Sequence, residues 1–114
     1  MDRCDAVRGY YDAIDAGDYD RLRGLLASGF VQRRPDRTFD GPDRFVRFMR
    51  DERPRTDTEH AIEAMAVDDA DGGDVSTVFV EGRLRGSDGA DLFGFVDVHR
   101  VGDAGIKSLT TYTA

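Results

Sequence analysis

The sequence is poor in cysteine, in lysine and in long apolar runs. Cys4 is the only cysteine, so no intrachain disulfide can form and no thiol pair exists to hold a structural zinc. No stretch approaches the ~20 apolar residues that cross a bilayer. The opening MDRCDAVRGY lacks the apolar core of a signal peptide, so a cytoplasmic location without a membrane partner is expected. Lys107 is the single lysine, beside fifteen arginines, against nineteen aspartates and four glutamates, for a net charge of -7. That sign opposes binding to a phosphate backbone, which draws its affinity from Lys and Arg displacing counterions, so no nucleic-acid partner is expected.

What is present suits one domain over residues 1–114: the length allows one core but not two. Hydrophobic residues make up 39% and charged ones 34%, and the apolar positions recur periodically rather than thinning out as in a disordered chain. The Asp-rich, Lys-poor balance is similar to that of proteins from salt-loving archaea. In concentrated salt the Debye length falls to about 3 Å or less, so a site must act by contact rather than by long-range steering.

Val7, Tyr10, Tyr11 and Ile14 have the i, i+3, i+4, i+7 spacing of an amphipathic helix, predicted over residues 3–16. Cys4 falls on the same stripe and reads as a buried thiol. Gly17 ends this helix and Asp18 caps a second, with Tyr19, Leu22, Leu25 and Leu26 on its buried side. FVQRR then forms a brief strand that Pro35 and Asp36 break before Phe39. Asp40, Gly41 and Pro42 open a third helix that turns Phe45, Phe48 and Met49 inward. Arg44, Arg47 and Arg50 on it read as a solvated face pairing with Asp43, Asp51 and Glu52, with an anion-binding face as the alternative. From Thr56 the period becomes two, predicting strands over residues 56–68, 75–85, 91–101 and 105–113. Their connections, DDADGGD, GSDG and GDAG, are rich in turn residues. The first lacks the closing glutamate of a calcium loop, since Val80 stands twelfth from Asp69, and reads as a hairpin loop. Helices followed by a long antiparallel meander imply an α+β fold: three helices over one face of a curved, cone-shaped sheet of about four long strands plus one short. The interior of such a cone is the natural pocket.

YYDAIDAGDYDRLRGLLASGF, DGPDRFVRFM and VDVHRVGDAGIKSLTTY, in that order, resemble the nuclear transport factor 2-like superfamily, in particular SnoaL-like proteins and ketosteroid isomerases. The similarity spans nearly the whole chain, and it identifies a fold rather than a reaction. It implies a homodimer and no metal or organic cofactor. Ketosteroid isomerases move a proton with an aspartate base while a tyrosine and a protonated aspartate donate to the oxyanion. The resemblance puts the tyrosine on Tyr10 and the protonated aspartate on Asp97, but the base position on Arg34, which cannot accept a proton. Isomerase chemistry therefore needs another base, and His99 or Asp36 is the candidate.

Asp97 is the informative residue, a carboxylate between Val96 and Val98 whose strand alternation places it on one face with Phe93, Phe95 and His99. A buried carboxylate must take up a proton or find a cation. In the catalytic reading it stays neutral among Phe93, Phe95 and Leu109 and donates, with Tyr10, to the oxygen of a bound carbonyl compound. In the binding reading Arg34 enters the same cavity and pairs with Asp97 or with a ligand's carboxylate. In a third reading the pair fills the cone, and the domain is a non-catalytic dimerisation or partner-binding module using its outer sheet face and the threonine-rich end SLTTYTA. His60, near the start of its strand, lines the pocket mouth or is merely solvated or hydrogen-bonded. Glu81, Arg83 and Arg85 read as exposed cross-strand charge pairs. The reading of the whole is a pocket for a small, largely apolar ligand with one polar end.

Overall fold

A computed structural model describes residues 2–69 and 73–114. Asp2 accepts the backbone N–H groups of Cys4 and Asp5 and starts α1, Arg3–Ala16, which Gly17 ends in a left-handed conformation. Asp18 caps α2, Tyr19–Leu25, by accepting from the Arg21 N–H. The chain then turns directly into β1, Leu26–Arg33. Leu26 is thus the first residue of a strand rather than the last of a helix, and β1 is longer than FVQRR suggested. The cause is non-local: β1 lies parallel to the last strand, with Leu26 opposite Ile106 and Gln32 opposite Leu109.

Phe39 belongs to a strand of its own, β2, Thr38–Asp40, which pairs back on β1 across the turn at Pro35 and Asp36. Next comes α3, Pro42–Arg47, which continues as a π-helical turn over Phe48–Glu52. The remaining strands are β3, Thr58–Asp68; β4, Ser76–Gly86; β5, Asp91–Gly102; and β6, Gly105–Thr113. They form one six-stranded sheet of order β2-β1-β6-β5-β4-β3, antiparallel except at β1–β6. Two strands more than the four long ones border the cone on the β1 side. Positions 70–72 of the DDADGGD connection lie outside the described residues. The strands flanking it pair from Asp68 opposite Thr77, as in a hairpin.

Register shifts at Ile62/Ala64, Leu84/Arg85 and Arg100/Val101 interrupt the ladders, and such bulges bend a sheet. The helices pack into the resulting hollow through Val7, Ile14, Leu22 and Phe45, all buried against Phe30, Ile106 and Leu109. Cys4 is only half-buried and stands outside this core, because it sits in the first turn of α1 near the rim. Two glycines serve close approaches. A Cβ on Gly82 would lie 2.6 Å from the Ala61 carbonyl and 2.7 Å from the Phe95 ring. Gly105, with φ +118, lets the β5–β6 turn sit against the Leu25 carbonyl.

Candidate functional site

Between the inner sheet face and the helices lies an open cavity of about 650 Å³. Its buried wall is formed by Tyr10 of α1, Gln32 of β1, Phe95 and Asp97 of β5, and by Thr111 of β6 and His60 of β3 beside them. Its outer wall carries Arg34, Asp36, Arg37, Phe48, Arg53 and Phe93. The cone is therefore neither solid nor filled by an Arg34–Asp97 pair.

Alternation along β5 buries Phe95, Asp97 and His99, and β6 brings Thr111 opposite Asp97. Asp97 accepts two hydrogen bonds, from the Tyr11 hydroxyl at 2.6 Å and from the Thr111 hydroxyl at 2.7 Å. Tyr11 also meets His99 Nε2 at 2.8 Å. On the other side Gln32 donates to Thr111 at 3.1 Å, and Arg34 Nε donates to the Gln32 carbonyl oxygen at 2.8 Å. One chain of hydrogen bonds thus runs from Arg34 through Gln32, Thr111, Asp97 and Tyr11 to His99.

Burial pushes the Asp97 carboxyl above the usual carboxylate range, against the opposing hydrogen bonds from Tyr11 and Thr111 and the electrostatic influence of Arg34. Burial above all holds the Tyr10 and Tyr11 hydroxyls firmly protonated, and an ionised Asp97 would reinforce it. Burial alone pulls His99 down to about 3, so its imidazole is neutral. Its Nδ1 has no hydrogen-bond partner among the described residues.

These facts correct several expectations. Tyr10 lines the cavity, and its hydroxyl meets no partner among the described residues; the hydrogen bond to Asp97 comes from its neighbour Tyr11. Leu109 is fully buried in the core cluster and is not among the cavity-lining residues. His99 is likewise sealed off, neutral and outside the lining. Asp36 stands on the exposed outer wall, with Arg37 at 3.5 Å. Arg34 does not pair with Asp97: two side chains intervene, and its guanidinium lies 5.5 Å from the Phe39 ring centre and 5.2 Å from that of Phe48. Phe93 and Phe95 line the cavity, Phe93 at its exposed rim. The arginines of α3 form surface ion pairs, Arg44 and Arg47 with Glu52 and Arg50 with Asp51. Arg83 and Arg85 both pair with Asp91.

An Asp–His pair also stands at the site, with no mark in the sequence. Asp15, at the end of α1, accepts the His60 backbone N–H at 2.9 Å and its Nδ1 at 2.6 Å. A carboxylate on Nδ1 places a proton there, and Nε2 has no partner among the described residues. His60 packs against Tyr11 and Phe95 on the cavity wall. Nothing local ties Asp15 to a residue on β3. Gln32 and Thr111 did leave a trace, since both are polar at buried or half-buried positions in strands, the same signal that singled out Asp97.

The fold is shared by solved structures of low sequence identity. A candidate polyketide cyclase of Sinorhizobium meliloti superposes with TM-score 0.77 at 20% identity, over 95% of this chain and 94% of that one. A candidate isomerase of the SnoaL-like family from Agrobacterium tumefaciens superposes with TM-score 0.74 at 18% identity, over 98% and 97%. The orange carotenoid protein of Anabaena, in a structure binding canthaxanthin, gives TM-score 0.81 at 20% identity, over 97% of this chain but 35% of that one. No curated protein matches the chain. The SnoaL-like domain family matches residues 7–109, so nearly the whole cone and every cavity residue but Thr111 and Thr113 lie within the match, and the chain belongs to that family.

Proposed function

We propose that the cone binds a small, largely apolar carbonyl compound by its polar end and moves a proton beside that carbonyl, as an isomerase or cyclase does. The observation that carries this reading is Asp97: a carboxyl that burial drives toward its neutral form, on the wall of an open cavity beside the free hydroxyl of Tyr10. Neutral Asp97 and Tyr10 together donate to a carbonyl oxygen as it gains negative charge. His60 supplies the base. Its Nε2 takes a proton from the carbon next to the carbonyl, the C–H electrons form a C=C bond, and the carbonyl π electrons pass to oxygen. Asp15 holds the imidazole and stabilises the imidazolium, which then returns the proton to another carbon of the same molecule. A cavity of about 650 Å³ suits a ligand of one to three rings. Structural neighbours described as a candidate cyclase and a candidate isomerase accord with such chemistry.

The test is conversion of β,γ-unsaturated ketones to their conjugated isomers in D₂O, followed by NMR. His60→Gln is expected to slow conversion by about 10²–10⁴-fold and Asp97→Asn by about 10²–10³-fold. Absence of both conversion and deuterium uptake across a panel of cyclic enones, in folded protein, overturns the enzymatic reading.

One observation favours a second, compatible role as a dimerisation module. Phe79, Val96 and Tyr112 are exposed on the outer sheet face, and Val96 and Tyr112 are cross-strand partners. A second copy of this chain is the proposed occupant of that face.

A further inference from the structure

The charges around the cavity do not balance, and the imbalance identifies the ligand's second functional group. Four arginines line the cavity. Arg37 has Asp36 within ion-pair distance and Arg55 has Asp57. Glu52, the remaining acidic residue of the outer wall, is engaged by Arg44 and Arg47. Arg34 and Arg53 have no carboxylate within ion-pair distance among the described residues, although both are half-buried. The other arginines without such a partner, Arg21, Arg33 and Arg100, are exposed, where water solvates them. Arg53 is used up by neutral acceptors, the Met49 carbonyl, the Thr58 hydroxyl and the Tyr19 hydroxyl, so it contributes charge but few free donors.

Arg34 differs. Among the described residues, only Nε–H of its five N–H groups meets an oxygen, that of Gln32; a terminal nitrogen has merely the Met49 sulfur at 3.7 Å. Its guanidinium is held by Phe39, Phe48 and Gln32 at the cavity wall with most of its fork unspent. Asp36 and Asp97 act on it through space without touching it. Resting on the pocket reading above, we propose that the ligand is an oxo-acid: a carbonyl compound whose carboxylate docks on Arg34 while its carbonyl reaches Tyr10 and Asp97. A planar carboxylate matches a guanidinium fork through two parallel N–H···O bonds. A phosphate, with its second negative charge, would face Asp36 and Glu52 on the same wall. Gln32 and Thr111, standing between Arg34 and Asp97, separate the two ends of the molecule and give it a fixed sense of entry.

The test uses 6-hydroxy-2-naphthoate and its methyl ester, in which a methyl group replaces the negative charge at one end, with binding measured by titration calorimetry at two salt concentrations. The acid is expected to bind the native protein at least tenfold more tightly than the ester. Arg34→Met is expected to remove that preference while leaving the ester's affinity within twofold, and Arg34→Lys to retain part of it. Thermal melts of each variant establish that it folds, and Arg33→Met, on an exposed neighbour, is expected to change nothing. Equal binding of acid and ester by the native protein, or equal weakening of both by Arg34→Met, overturns the carboxylate assignment and leaves the pocket intact. Binding of neither compound overturns the pocket reading and this proposal with it.

Discussion

Two buried titratable side chains joined through Tyr11 respond to acid in opposite directions. His99 has its folded pKa depressed to about 3 by burial, below the unfolded value of ~6.5. Its contribution to stability is fully present above pH ~6.5 and is lost as the pH falls toward 3, on the order of 4 kcal/mol in all. Asp97 has its folded pKa raised by burial, so its ionisation costs stability as the pH rises through that value, and acid relieves the cost. Below pH ~6.5 the two contributions therefore oppose each other. His99→Phe, which also removes the unpartnered Nδ1, should flatten the fall of Tm between pH 6.5 and 4. An unchanged slope would mean that His99 does not titrate in that window. Asp97→Asn should raise Tm above pH 6 by about 4 °C, a gain in stability bought with the loss of a proton donor. Asp97 was legible in the sequence because a carboxylate among β-branched and aromatic neighbours breaks the local pattern. Its partner Tyr11 was not, because Tyr10 and Tyr11 share the apolar stripe of one helix, and only the rotation of α1 against β5 decides which hydroxyl meets the carboxylate.

At the scale of elements, β4 and β5 show how a strand pattern fixes a wall while a neighbour fixes its shape. The inward alternation of Phe95, Asp97 and His99 follows from the two-residue period and was predictable. That the Phe95 ring lies flat enough to border a cavity depends on Gly82 opposite it, where any Cβ would meet the ring at 2.7 Å. Gly82→Ala is expected to cost about 1–3 kcal/mol by overpacking and to push Phe95 toward the open space. Chemical denaturation measures the first effect, and a weakened affinity for the naphthoate ester the second. A fully native affinity in the variant would show that Phe95 does not shape the wall. β2 and the early start of β1 were hidden for a related reason: both gain their strand character from pairing, β1 with a segment some eighty residues away, and no local periodicity records that.

At the scale of the whole molecule, the sheet has two faces with different fates. The inner face is covered by helices around the cavity. The outer face presents Phe79, Val96 and Tyr112 in a chain of net charge -7. Sedimentation at micromolar concentration should give about twice the 12.7 kDa of one chain. Val96→Lys should return it to monomer with ester binding retained, since Val96 points away from the cavity. A native protein that sediments as a monomer would end the proposed self-association. By itself the sequence determined the α+β class, the inward face of β5 and the presence of a misplaced acid, because local period, caps and turn residues act over a few neighbours. Only the tertiary structure decided that Tyr11 holds Asp97, that Asp15 meets His60 and that Arg34 has no carboxylate at ion-pair distance among the described residues. Each of those depends on side chains from distant segments meeting across a hollow, and their positions follow from how a bent sheet closes on its helices.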